Sequence, residues 1–259
     1  MESVLQEFLG TSVFAFVLAF TRIGTAVMIM PGVGDSFVSS RIRLHFALAL
    51  SFVLFPMIIP FIPDPLPGGF GLFVLIMMEF IVGIFFGVIA RTFMAALDIT
   101  GMVISISSGL ANAQIFNPSL AAQGSLMGAF LSVTGVTLLF ASNLHHLLFM
   151  GIFESYDFFP VGAIPDTGSM AELVARAVTH SFAIGVMIGT PFLVLSLMVY
   201  VGMGVLARLM PQIQVFLLAL PMQILLSWVL LMLVFSAGTL FWMKEFEAAM
   251  VFFLTASGA

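Results

Sequence analysis

Long apolar segments dominate this chain and limit how it can fold. A helix needs about 20 mostly apolar residues to cross a bilayer. Candidate segments are residues 8–30, 44–62, 70–90, 99–116, 122–150, 180–206 and 213–243. Only 7% of the 259 residues are charged and 62% are hydrophobic, whereas soluble domains carry roughly 25% charged residues. The sequence therefore predicts an integral membrane protein built of helices rather than a water-soluble domain.

Proline and glycine interrupt several of these segments. Pro56 and Pro60 lie in the second segment, Pro191 in the sixth and Pro221 in the last. A proline inside a helix removes one backbone hydrogen bond and bends the helix. Irregular backbone at membrane depth is tolerated only against protein or water. We therefore predict an all-α membrane protein of bent, Gly/Pro-broken helical hairpins that pack in an assembly instead of facing lipid all round.

The distribution of charges gives a conflicting picture of the membrane crossings. Arg41 and Arg43 predict a cytoplasmic loop after the first segment, and Arg91 predicts a second cytoplasmic position. The stretch 151–179 carries four acidic residues and one basic residue, which predicts the opposite side. An odd number of crossings should then separate Arg91 from that stretch, but two apolar segments lie between them. Either residues 99–118 are re-entrant or buried, or simple crossing rules do not apply.

Two charged residues lie inside apolar segments. Arg22 is near the middle of the first segment and Glu79 is within the third, where a charge costs about 2.5–3.5 kcal/mol on insertion scales. We expect Arg22 to face a bundle interior in a buried ion pair or a backbone contact, to line a pathway, or to snorkel toward the interface. For Glu79 the alternatives are a packed helix face and a proton relay. Glycines four residues apart predict close-packed helix faces. These pairs are Gly83 with Gly87 and Gly185 with Gly189.

Residues 105–118 form an unusually polar stretch inside an apolar region. Small hydroxyl and amide side chains are costly in lipid but suit a lumen or a contact between helices. Gly109 permits a bend, and Asn117-Pro118 should end any helix. The stretch is therefore either a pore-lining or pore-closing segment, or a kinked helix packed in protein. The candidate residues are Ser105, Ser108, Gly109, Asn112, Gln114, Phe116, Asn117 and Pro118.

The sequence gives no positive sign of catalysis, metal binding or nucleic-acid binding. None of its four histidines forms a His-x-x-x-His or Glu-x-x-His pair, and no phosphate loop or serine-nucleophile motif occurs. Cysteine is absent, and lysine and arginine do not cluster. We therefore predict that the protein is not an enzyme and needs neither a cofactor nor a metal.

Three stretches occur in an order and spacing typical of one family. They are TRIG to MPGVG at 21–34, GMVI to FNP at 101–118, and ARLMPQ to LP at 207–221. Together they resemble the FliR/SctT family of type III secretion export-gate subunits, and the flagellar branch more than the injectisome branch. The family-motif residues of the third stretch are Pro211, Gln212 and Pro221. The family usually carries Asn where Gln214 stands, a basic residue where Gln223 stands, and often Asp where Asn117 stands.

The resemblance implies a subunit that joins FliP and FliQ around a narrow pore for unfolded flagellar export substrates. It implies a place in the bacterial inner membrane, at the flagellar basal body, with FlhB and FlhA as further partners. It also implies a FliP-like part at 1–175 and a FliQ-like helical hairpin at 176–259. By position, the pore plug of the family falls on about 105–118. The alternatives are an injectisome subunit and an unrelated secondary transporter, which Arg22 and Glu79 suggest.

Overall fold

The computed structural model describes residues 2–63, 68–112, 125–210 and 214–255. All regular elements in these residues are helical. The α-helices are α1 (Glu2–Ile29), α2 (Ser40–Ile58), α3 (Gly69–Ser107), α4 (Leu126–Ala141), α5 (Leu144–Phe158), α6 (Thr167–Leu209) and α7 (Val215–Thr255). A short 3-10 helix, Ile59–Phe61, directly follows α2. The prediction of an all-α protein is confirmed.

The helices have the length and composition of a membrane protein. Within the described residues, α1, α2, α3, α6 and α7 each contain an apolar stretch long enough to cross a membrane. The count rises to six spans if α4 and α5 form one broken span. Pro56, Pro191 and Pro221 all lie inside helices rather than between them, as expected for spans that contain proline.

The two predicted segments 70–90 and 99–116 are wrong as separate elements, because α3 continues from one into the other. The residues that join them contain neither glycine nor proline, so nothing interrupts the backbone hydrogen bonds. Their charged residues, Arg91 and Asp98, occupy exposed positions of the helix and therefore do not force a loop. The helix runs unbroken to Ser107, so residues 99–107 are not a separate element. That residues 99–118 are re-entrant or buried stays a prediction.

The region 122–179 also differs from the prediction. Its apolar part is two helices, because Asn143 adopts a left-handed φ of 61° between α4 and α5. Much of the acidic stretch 151–179 is helical, since α5 ends at Phe158 and α6 begins at Thr167. Ile152 and Tyr156 are both buried one helical turn apart. Part of this acidic stretch therefore still forms a helix with one buried face.

The chain divides into two compact units, each assembled from separated segments. The first unit comprises Met1–Thr92, Asn143–Ala177 and Glu247–Ala259, and the second comprises Phe93–Ser142 and Val178–Phe246. The predicted division of the chain at 175/176 into a FliP-like part and a FliQ-like hairpin stays a prediction.

Each unit has its own apolar core. In the first unit, α1 packs against α2 and α5, and Leu18 and Ile152 are among its buried side chains. In the second unit, Phe192 of α6 and Trp242 of α7 are buried together with Leu97 of α3. The indole Nε1 of Trp242 donates to the carbonyl of Phe93 at 3.0 Å, which ties α7 to α3.

Candidate functional site

Arg22 and Glu79 form a buried ion pair in the first unit. The side chains come from α1 and α3, and each residue is only 1% exposed. The guanidinium Nε lies 2.5 Å from Glu79 Oε2, and Nη2 lies 2.8 Å from Oε1. This two-point geometry matches the planar fork of arginine to both carboxylate oxygens.

The same guanidinium also closes the C-terminal end of α5. Nη1 donates to the carbonyl of Ser155 at 3.0 Å and to its hydroxyl at 3.2 Å. Nη2 donates to the carbonyl of Phe159, the residue after the helix, at 2.8 Å. A cation is favourable at this end of a helix, where backbone carbonyls lack partners. The guanidinium also lies over the ring of Tyr156 in a cation–π contact, with Arg22 Cζ 3.9 Å from the ring centroid.

All five N–H donors of Arg22 are therefore used. An arginine side chain has five such donors, and here two bonds go to Glu79 and three to the end of α5. No donor remains for a substrate or an anion. The arrangement favours a structural tie between α1, α3 and α5 over a transport pathway through Arg22.

Glycines allow α1 and α3 to approach closely beside this ion pair. A Cβ added at Gly83 would lie 1.9 Å from Thr25 Oγ1 and 2.5 Å from the carbonyl of Arg22. A Cβ at Gly87 would lie 2.8 Å from Ile29 Cβ. Both predicted glycine positions of this pair thus face α1, one helical turn apart.

The second unit uses small residues in the same way between α3 and α6. A Cβ at Gly185 would lie 2.8 Å from the carbonyl of Ala96, and one at Gly189 would lie 2.7 Å from Val103 Cγ1. Thr100 adds a hydrogen bond here, because its hydroxyl donates to the carbonyl of Gly185 at 3.1 Å.

A further close contact, between α3 and α4, was not predicted. A Cβ at Gly101 would lie 2.2 Å from the backbone nitrogen of Gly128. Around it, Ser105 Oγ and Ser125 Oγ lie 2.7 Å apart, and Ser132 donates to the carboxylate of Asp98. A signal was available. Gly101 and Gly128 each have a serine four residues later, and such small-residue spacing marks close helix pairs.

The polar stretch at 105–118 begins where α3 ends. Gly109 adopts a left-handed φ of 79° and its N–H donates to the carbonyl of Ile106 at 3.2 Å. This is the usual way in which a glycine ends a helix. Ser105 is 4% exposed and Ser108 is fully buried, whereas Asn112 is half-buried. Most of the described part of the stretch is therefore packed against protein, whereas Ile106 is exposed.

Several predicted site residues lie outside the described residues. They are Gln114, Phe116, Asn117 and Pro118 of the polar stretch, together with Pro211 and Gln212 of the family motif. Pro221 lies within α7. Among the residues that the structure does describe, no group of three or more His, Asp or Glu side chains is placed to hold a metal ion.

Gln223 is a polar residue whose position sequence reasoning did not assign. It is 1% exposed on α7, and its side-chain amide donates to the carbonyl of Ser107, the last residue of α3, at 2.5 Å. The sequence signal was a lone amide side chain in an apolar helix, which must find a partner when buried. Its partner lies 116 positions away, so no local pattern could have identified it.

Known proteins resemble this chain over most of its length. The profile of the family described as "Bacterial export proteins, family 1" matches residues 13–249. "Flagellar biosynthetic protein FliR" of Caulobacter vibrioides is 36% identical over 238 residues, which cover 91% of this chain and 94% of that protein. The protein of the same name from Bacillus subtilis is 30% identical over 225 residues, 86% of each chain.

A relative from another secretion system also matches. "Yop proteins translocation protein T" of Yersinia pestis is 27% identical over 167 residues, which cover 64% of each chain. The predicted resemblance to the FliR/SctT family is confirmed by these relatives. Since the family profile spans nearly the whole chain and the flagellar relatives align over most of their own length, this protein belongs to the bacterial export proteins, family 1.

Proposed function

We propose that this protein is a core subunit of the flagellar type III protein export gate, and that it forms a pore for unfolded flagellar subunits with FliP and FliQ. The observation that carries the proposal is the alignment over 91% of this chain with a flagellar relative at 36% identity. The alignment with the translocation protein of Yersinia pestis covers 64%. The flagellar role is thus favoured over the injectisome role.

The surface of the second unit supports assembly with other subunits. Apolar side chains on α7 are largely exposed, with Met232 at 76% and Leu233 at 74%. The C-terminal part of α6 and the N-terminal part of α7 line an open apolar cavity of about 470 Å³, with residues such as Met198 and Met222. Exposed apolar surface in a membrane protein contacts lipid or other helices. Because α6 and α7 each contain a proline, contact with other helices is favoured over contact with lipid.

We assign residues 105–118 as the segment that closes the pore at rest. Polar and small side chains suit a lumen. The described part, 105–112, begins in the last turn of α3 and is anchored there. Methionine and phenylalanine side chains of the pore would close around a passing chain without recognising its sequence, because methionine is flexible. The sequence contains no nucleotide-binding motif, so other components would supply the energy.

The location follows from the same proposal. Five described helices are long and apolar enough to cross a membrane, and the proposed partners belong to the flagellar basal body. We therefore propose the bacterial inner membrane as its location, with FlhB and FlhA as neighbouring components of the export apparatus.

Co-expression with tagged FliP and FliQ tests the assembly. We expect detergent extraction to recover this chain in a complex of defined size that contains both partners. An unrelated membrane protein with the same tag, extracted in parallel, controls for non-specific association. Recovery of this chain only as a monomer would refute the proposed assembly.

A shortened variant tests the pore-closing segment. Removal of several residues from 105–118 is expected to make the membrane permeable to small ions when the variant is co-expressed with FliP and FliQ. The complex of the variant must be recovered as efficiently as the complex of the natural chain, so that a leak reports on closure and not on misassembly. Unchanged ion permeability in an assembled variant would remove this assignment.

A further inference from the structure

The last four carbonyls of α3 all have hydrogen-bond partners. A helix leaves its last four carbonyls without partners inside the helix, and each must be satisfied when buried. Three of them bond to backbone N–H groups in the turn that follows. These bonds are Ser108 N to Ile104 O at 2.8 Å, Ala111 N to Ser105 O at 3.0 Å, and Gly109 N to Ile106 O at 3.2 Å.

The fourth carbonyl, that of Ser107, has a partner from a different helix. Gln223 of α7 donates its amide to this oxygen. Both residues are buried, at 1% for Gln223 and 5% for Ser107. Water therefore cannot replace the amide without a rearrangement, and loss of the donor would leave a buried carbonyl unsatisfied.

Leu220 and Gln223 of α7 lie beside the turn that ends α3. A Cβ placed on Gly109 would be 3.4 Å from Leu220 Cδ2, so Leu220 packs beside the turn and Gln223 is bonded to its base. Between them lies Pro221, which cannot donate to the carbonyl four residues earlier. The contact between α7 and the turn therefore depends on Leu220 and Gln223, which lie on either side of Pro221, where the helix lacks one backbone hydrogen bond.

We propose that Gln223 is a positioning residue that fixes residues 105–112 by holding the end of α3 against α7. Its amide supplies the hydrogen bond to the carbonyl of Ser107 that the backbone of the following turn does not supply. The contact itself stands on the geometry alone. Its effect on pore closure rests on the proposed function, because residues 105–112 begin the segment assigned to closure.

Hydrogen exchange in the full-length protein tests the contact. In Gln223→Leu, which keeps an apolar side chain of similar size but removes the donor, we expect the amides of 108–112 to exchange about five- to tenfold faster. In Gln223→Arg, which restores a donor, exchange should return toward the natural rate.

Trp242→Phe is the matched control. It removes another hydrogen bond from α7 to a backbone carbonyl of α3, at Phe93. That carbonyl lies about 21 Å along α3 from the carbonyl of Ser107, at 1.5 Å per residue. Exchange at 108–112 should therefore stay unchanged in Trp242→Phe. Equal acceleration in both variants would show general loosening of the unit and would overturn the specific role of Gln223.

Ion permeability in cells that co-express FliP and FliQ tests the effect on closure. We expect a leak with Gln223→Leu, none with Trp242→Phe, and restored tightness with Gln223→Arg. Unchanged exchange in Gln223→Leu overturns the proposed contact. Faster exchange without a leak, in a complex that co-purifies normally, overturns the link to closure. Co-purification is scored on the same samples, so failure of the assembly itself is distinguished from failure of this inference.

Discussion

Replacement of Arg22 by methionine is expected to destabilise the first unit by about 3–5 kcal/mol, the usual cost of removing one partner from a buried ion pair. Methionine fills much of the volume of the arginine stem but donates no hydrogen bond. Glu79, which is 1% exposed, then loses its counter-charge and must either bear a costly buried charge or take up a proton. The carbonyl of Phe159 loses its bond from Arg22 as well, and the carbonyl of Ser155 keeps only its bond from the backbone N–H of Phe159.

The contacts of Arg22 give a similar magnitude. Arg22 donates five hydrogen bonds, and hydrogen bonds between membrane helices contribute about 0.6 kcal/mol each on average. Together they give about 3 kcal/mol, the lower end of the expected range. The unpaired carboxylate of Glu79 adds to this, because burial of a single charge costs more than the loss of its bonds.

A double-mutant cycle in detergent measures the coupling. The variants are Arg22→Met, Glu79→Leu and the double variant, unfolded by increasing sodium dodecyl sulfate in mixed micelles. The double variant should lose less stability than Arg22→Met alone, because no unpaired charge remains buried. Arg91→Met is the matched control. Arg91 also pairs with a carboxylate, Asp35 at 2.9 Å, but its side chain is 50% exposed, so the expected loss is within about 1 kcal/mol.

Two results would refute this reasoning. A loss below about 1 kcal/mol in Arg22→Met would mean that the ion pair does not hold the three helices together, since exposed pairs lose that much. A double variant less stable than Arg22→Met would mean that Glu79 has stabilising contacts of its own, and the unpaired charge would not explain the cost.

Two further predictions concern packing and pH. Gly101→Ala should destabilise the second unit by about 1–3 kcal/mol, because its Cβ would meet backbone of Gly128. Gly202→Ala, where a Cβ meets nothing within 4 Å, should be neutral or slightly stabilising by thermal unfolding. Hydrogen bonds from Ser169 and Gly168 lower the pKa of Asp166 below its ordinary value of 3.8. The contribution of Asp166 to protection at the start of α6 should therefore be complete above that value and be lost as pH falls through the lower pKa. Amide exchange, corrected for its intrinsic pH dependence, should show this change, and Asp166→Asn should remove it.

The fold class and the buried charges could be predicted because both depend on composition over short windows. Apolar segments of about 20 residues indicate membrane helices, and a charge inside such a segment must be buried against protein. Arg22 and Glu79 followed from this rule. Their pairing with each other did not, because the residues are 57 positions apart and many arrangements of apolar helices bury a charge.

Helix boundaries were less predictable, because apolar runs of about 20 residues do not show where a helix begins or ends. Arg91 and Asp98 lie between the predicted segments 70–90 and 99–116, but both occupy exposed positions of an unbroken helix. Conversely, Asn143 breaks an apolar stretch. Asparagine tolerates the left-handed region better than most residues, and that property is a better indicator of a helix end than composition.

The scarce polar residues determine how the helices of this protein align. In lipid the hydrophobic effect does not favour one register of two apolar helices over another, so small-residue contacts and hydrogen bonds must do so. Each unit has such a contact on α3. Glu79 binds Arg22 in the first unit, and the carbonyl of Ser107 binds Gln223 in the second. A shift of α3 by one residue against either partner would leave a buried charge or a buried carbonyl unpaired. A few polar side chains can therefore specify a structure that the apolar majority leaves undetermined.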